Sequence, residues 1–122
     1  MSASVLTVDD SASLRMAIRI ALTGAGYKVT EAGDGREGLA KAQAERFDMI
    51  LTDLNMPNMD GLSMIREIRK LPVQTGVPIV FLTTESDDSM KQQAKAAGAT
   101  GWLVKPFVPE QLLRVVQKVL GR

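Results

Sequence analysis

The chain has 122 residues, 45% of them hydrophobic, with a formal charge of +1; this is apolar material for one core and leaves no room for a second, so residues 1–122 read as a single domain. It contains no cysteine and no histidine, which excludes disulfides, thiolate or imidazole chemistry and the usual zinc sites and leaves carboxylates, amides, hydroxyls and lysines to carry any reaction. Scattered Lys and Arg near charge balance offer no footprint for nucleic acid, and with no basic leader and no run of about 18 apolar residues the expectation is a cytoplasmic chain with no membrane partner.

In chain order, "SVLTV" predicts a first strand over about Ser4 to Val8. The helix after it carries Leu14, Ile18, Ala21 and Leu22 at helical spacing. A second strand over Tyr27 to Glu31 is followed by a second helix. "FDMILTD" predicts a third, buried strand over Met49 to Thr52, and "LTDLNMPNMDG" is a turn-rich loop in which Asp60 is expected to cap the next helix. That helix offers Leu62, Ile65 and Ile68. A fourth strand, Pro78 to Thr83, precedes "DSMKQQAKAAGA", a helix whose thin apolar face is Met90 and alanines. A fifth strand, Gly101 to Val104, precedes a last helix with Leu112, Leu113, Val116, Val119 and Leu120. Alternating short strands and helices predict a doubly wound, five-stranded parallel sheet of flavodoxin-like order 2-1-3-4-5, with helices on both faces.

Ligands of such sheets bind outside the carboxyl ends of the strands, near the point where strand order reverses. Asp9 and Asp10 lie just past the first strand, Asp53 at the end of the third, Thr83 at the end of the fourth and Lys105 just past the fifth, all on that edge. Taken singly, each has an ordinary explanation: "VDD" as a helix cap, Thr83 as a β-branched strand end, Lys105 as a solvated loop charge. Their convergence with complementary charge does not. Carboxylates crowded there repel by roughly 4 kcal/mol per pair at about 4 Å and an effective dielectric near 20, which summed over the pairs rivals a whole domain's stability of about 5–15 kcal/mol. A hard cation relieves this, and few carboxylates with room for water and phosphate oxygens suit Mg²⁺. Lys105 adds a second positive charge, keeping Asp53 ionised as a nucleophile towards phosphorus.

The segments "VDD", "LTDLNMPNMDG", "FLTTE" and "WLVKPF" together resemble the receiver domains of two-component response regulators over essentially the whole chain, and "AGATGWLVKPF" is especially similar to single-domain chemotaxis regulators of the CheY type. The resemblance implies a phosphoacceptor at Asp53, Mg²⁺ bound by Asp9, Asp10, Asp53 and the backbone carbonyl of Asn55, Thr83 and Lys105 contacting the phosphoryl group, and a cis Lys105–Pro106 bond. It makes Thr83 and Trp102 the switch pair, with Trp where Tyr or Phe is more usual, and places Asn55 and Glu85 where receiver side chains tune dephosphorylation. The implied partners are a sensor histidine kinase as phosphodonor and the flagellar motor switch as target of a monomeric signalling protein that is not an enzyme in the ordinary sense.

Rival readings are a phosphate sink or phosphorelay intermediate, which the same residues would also serve. A Mg²⁺-dependent dehalogenase-type phosphatase would place its nucleophilic Asp after the first strand, and a flavodoxin would not put the acidic "DDSAS" against a flavin phosphate.

Overall fold

The computed structural model describes residues 3–83 and 88–121. Its strands are β1 Ser4–Val8, β2 Lys28–Ala32, β3 Met49–Asp53, β4 Ile79–Thr83 and β5 Gly101–Val104; its helices are α1 Ala12–Gly24, α2 Gly35–Ala44, α3 Gly61–Arg69, α4 Asp88–Ala97 and α5 Pro109–Leu120, with a 3₁₀ turn at Pro72–Gln74. The sheet order is β2-β1-β3-β4-β5 with every neighbouring pair parallel, the flavodoxin-like arrangement that the alternation predicts. Among the described residues, no helix is long and apolar enough to cross a membrane.

Strand limits follow backbone pairing rather than side-chain character. β2 starts one residue later than expected because the Tyr27 N–H donates to Leu22 O at 3.0 Å, closing α1, while Lys28 pairs with Ser4. β4 begins at Ile79 because Pro78 has no N–H to give to a ladder. β3 runs through Asp53, whose partner is Leu82, so the acidic residue is the last residue of the strand itself.

Strand residues alternate between two cores. Ile50 joins Leu6, Val8, Ile79 and Phe81 beneath α2, α3 and α4, while Met49 and Leu51 join Val5, Val80 and Leu82 beneath α1 and α5. The stripes of α1 and α5 are buried as predicted, through Ile18, Leu22, Leu112 and Val116. On α3, Leu62 is only half-buried and Met64 goes inside with Ile65 and Ile68. Gly38 of α2 makes room for it: a Cβ there would stand 2.8 Å from the Met64 sulfur and 2.9 Å from Val8. α4 buries two alanines, Ala94 and Ala97, in keeping with its thin stripe.

The 3₁₀ turn secures the carboxyl end of α2. Gln74 is buried; its Nε2 donates to Ala42 O at 2.8 Å and Glu45 O at 2.5 Å, and its Oε1 accepts the Phe47 N–H at 3.3 Å.

Candidate functional site

Asp9 is the first residue past β1, which pairs with β2 on one side and β3 on the other, so sheet register sets its place. Its N–H extends the ladder to Ala32 O at 3.1 Å. Its Oδ1 accepts the Ser11 N–H at 2.8 Å, and Ser11 in turn caps α1 by accepting the Leu14 N–H at 3.2 Å. The helix cap in this segment is therefore Ser11, which leaves both aspartates for other work. Asp9 is buried and Asp10 exposed.

Asp53 ends β3 beside them, since Val8 pairs with Thr52. Its Oδ1 accepts the Leu54 N–H at 2.7 Å. The chain then turns away through the loop to α3, capped as expected by Asp60, which accepts the Ser63 N–H at 2.8 Å. Gly61 folds back so closely that its N–H donates to Leu54 O at 2.9 Å and any Cβ would overlap the Asp53 carbonyl oxygen. Glycine at that position is what lets α3 start against the tip of β3.

Lys105 closes the site from the far strand. Its N–H donates to Thr83 O at 2.7 Å, tying the loop after β5 to the end of β4, and the Lys105–Pro106 bond is cis. Its Nζ lies 3.1 Å from Asp53 Oδ2 and 3.4 Å from Asp9 Oδ2. Oxygens of Asp9, Asp10 and Asp53 all lie within 4.8 Å of one another. Burial raises the Asp9 pKa above the ordinary carboxylate value; the Ser11 amide and Lys105 oppose this, and the charge of Asp53 adds to it. For Lys105, burial would lower the pKa, but Asp53 and Asp9 outweigh it and the net shift is upwards. One ammonium neutralises only one of the charges that three carboxylates carry. An all-oxygen donor set with an exposed member fits a hard divalent cation that keeps part of its water.

The remaining predicted residues distribute as follows. Thr83 is buried at the end of β4, on the same edge of the sheet as Asp53. Asn55 is exposed in the loop after β3. Trp102 lies within β5, 46% exposed, with Lys91 Nζ 4.4 Å from its ring centroid and Phe81 6.3 Å away. Glu85 lies outside the described residues.

Two supporting contacts have no clear mark in the sequence. Arg15 Nη1 donates to the backbone carbonyl of Asp9 at 2.5 Å, yet an arginine on the flank of an amphipathic helix reads as a solvated charge. Asn58 Nδ2 donates to Asp34 Oδ2 at 2.7 Å, holding the β3–α3 loop to the start of α2. Its positive φ of 68° is a backbone state that asparagine tolerates, the one hint available in "PNMD".

Fold and site together define a flavodoxin-like α/β domain with an acidic cleft at the point where strand order reverses, whose clustered carboxylates could hold a metal ion. The response regulator receiver domain family matches residues 5–117, and the chain belongs to it. It is 52% identical to the Vibrio cholerae chemotaxis protein CheY4, whose structure superposes with a TM-score of 0.95 over 98% of this chain and 100% of that one. The probable chemotaxis protein CheY of Rhizobium etli is 34% identical over 118 residues, 96% of this chain and 92% of that protein. The receiver domain of the Pseudomonas aeruginosa sensor histidine kinase PA1611, solved with a magnesium ion coordinated in its active site cleft, is 33% identical with a TM-score of 0.91, each chain being covered over 100%. Against the transcriptional regulatory protein ResD of Bacillus subtilis the identity is 36%, but the chain spans only 48% of that relative's length. This is thus a CheY-like receiver domain of a two-component response regulator, a signalling family rather than a classical enzyme.

Proposed function

We propose that this chain acts as a stand-alone, monomeric and cytoplasmic response regulator in which Asp53 accepts a phosphoryl group from the phosphohistidine of a sensor histidine kinase. The observation that carries the reading is Lys105 Nζ poised between Asp53, at 3.1 Å, and Asp9, at 3.4 Å. An oxygen of Asp53 attacks phosphorus; the new O–P bond forms as the P–N bond of the donor breaks, and the imidazole leaves with that electron pair. Lys105 and Thr83 contact the phosphoryl oxygens, Lys105 balancing charge as it gathers there. A Mg²⁺ held by Asp9, Asp10, Asp53 and the Asn55 backbone carbonyl, directly or through water, would supply further neutralisation. Attack by water then releases inorganic phosphate and restores Asp53, at a rate tuned by the side chains of Asn55 and Glu85.

The phosphoryl group carries roughly 1.5–2 negative charges, in place of the single charge of the Asp53 carboxylate. Thr83 and Trp102 carry that change to the face of α4, β5 and α5, and the likeness to chemotaxis proteins supports the flagellar motor switch as its target. The likeness to a sensor kinase's own receiver domain supports a second reading, a phosphate sink or phosphorelay intermediate. Loss of motor reversal on deleting the gene, restored by wild type but not by Asp53→Asn, favours the first; intact motor control favours the second.

The direct test is incubation with a small-molecule acyl phosphate donor and Mg²⁺, followed by intact mass and peptide mapping. Wild type is expected to gain one phosphoryl group on Asp53, and Asp53→Asn none. Phosphate mapped to Thr83 instead would remove the receiver mechanism.

A further inference from the structure

We infer that Arg15 is a positioning residue for the acidic cleft: its guanidinium fixes the peptide between Asp9 and Asp10, and so sets where Asp10 meets a divalent cation. The inference rests on reading the cleft as a Mg²⁺ site. Arg15 Nη1 donates to Asp9 O at 2.5 Å, and Nε of the same guanidinium lies 3.4 Å from Glu31 Oε1. Glu31 is itself anchored. Its Oε2 accepts from Arg19 Nη1 at 2.6 Å, and its backbone carbonyl accepts from Lys41 Nζ. A chain of contacts thus runs from α1 and α2 through the end of β2 to the first residue past β1.

What this chain controls follows from the bonds Asp9 already makes. Its N–H is held by Ala32 and its carboxylate by Ser11 and Lys105. The carbonyl belongs to the next peptide unit, whose far end is Asp10. Gripping that oxygen fixes the rotation that aims Asp10, the exposed member of the acidic group. Partners of this kind, one bond removed from the ligands, typically change metal affinity by about 10–100-fold when lost.

Arg15 is also a cation beside a cation site, with its side chain 22% exposed. Charge and positioning therefore predict opposite outcomes. If charge alone matters, Arg15→Met binds Mg²⁺ more tightly than wild type; if Arg15 positions Asp10, it binds about tenfold more weakly. Arg15→Lys keeps the charge but replaces the planar fork with a single ammonium, which cannot reach carbonyl and carboxylate in the same way. Its affinity should fall between the other two.

The test is calorimetric titration of the full chain with MgCl₂ for wild type, Arg15→Met and Arg15→Lys, beside urea unfolding without metal to confirm that each variant is folded. The expected order of affinity is wild type, Arg15→Lys, Arg15→Met. Equal or tighter binding by Arg15→Met overturns the inference while leaving the Mg²⁺ site intact, whereas absence of binding by wild type overturns both. Should Arg15→Met fail to fold, Arg15→Lys decides, and wild-type affinity in it overturns the inference.

Discussion

Asp9 shows how burial and charge divide the work at a single residue. Its folded pKa is raised, first by burial, so the folded chain binds that proton at a higher pH than the unfolded chain does. Ionised Asp9 therefore costs stability above its folded pKa, and the cost is relieved as pH falls through that value towards the ordinary 3.8. Lys105 behaves in the opposite sense: its pKa is raised above 10.5, so its contribution is complete below the ordinary lysine range and is lost only as pH rises through the folded value. Across the acid range, then, Lys105 stays charged while Asp9 titrates. Asp9→Asn retains an oxygen for the Ser11 N–H and removes the charge. Without metal it should resist urea better than wild type near pH 7, and the two midpoints should approach each other towards about pH 4. A less stable variant at neutral pH would show that the Lys105 contact outweighs the burial of the charge, and a gap independent of pH would show that folding leaves the Asp9 pKa unshifted.

At the scale of elements, the ends of the helices matter as much as their faces. Gln74 satisfies two carbonyls near the end of α2 and the Phe47 N–H that leads into β3. It is 1% exposed, so water does not replace what its loss would leave unpaired. Gln74→Ala should cost about 1–3 kcal/mol for the buried groups left without partners. Chemical denaturation measures this directly. Because the turn lies away from the cleft, Mg²⁺ affinity of the folded variant should be unchanged; a large fall would mean that α2 transmits strain to the acidic residues, by way of Lys41 on Glu31 or Asp34 on Asn58.

For the whole molecule, the question is whether events at Asp53 reach Trp102 in β5. The two are linked through β4: Phe81 pairs with Trp102 in the ladder, and Thr83 two residues later receives the Lys105 N–H. Trp102 is the only tryptophan, so its emission reports one position. Phosphorylation should draw Thr83 towards the phosphoryl group, free space beside β5 and turn the indole away from Lys91 and inwards, changing emission and shielding it from acrylamide. Thr83→Ala should still gain phosphate yet lose most of this optical response. Unchanged emission and quenching in fully phosphorylated wild type would leave Trp102 a surface aromatic and move the output route elsewhere.

Alternation of apolar runs with helical stripes pointed to the sheet class and to the edge on which Asp9, Asp10, Asp53, Thr83 and Lys105 lie, because period and sequence of elements are local properties of the chain, whereas the strand order 2-1-3-4-5, expected from the doubly wound class, is fixed by the pairing of the strands. The Asp60 cap and the α1 and α5 stripes were legible for the same reason. Other features depend on what lies opposite in space. Tyr27 closes a helix instead of opening a strand, and Met64 replaces Leu62 in the core because Gly38 faces it. That one ammonium bridges two aspartates, and that Arg15 grips the carbonyl between the acidic pair, are decided by contacts between groups up to 96 residues apart. Spacing alone carries no record of such distances, since only the packed sheet and its helices bring these atoms within reach.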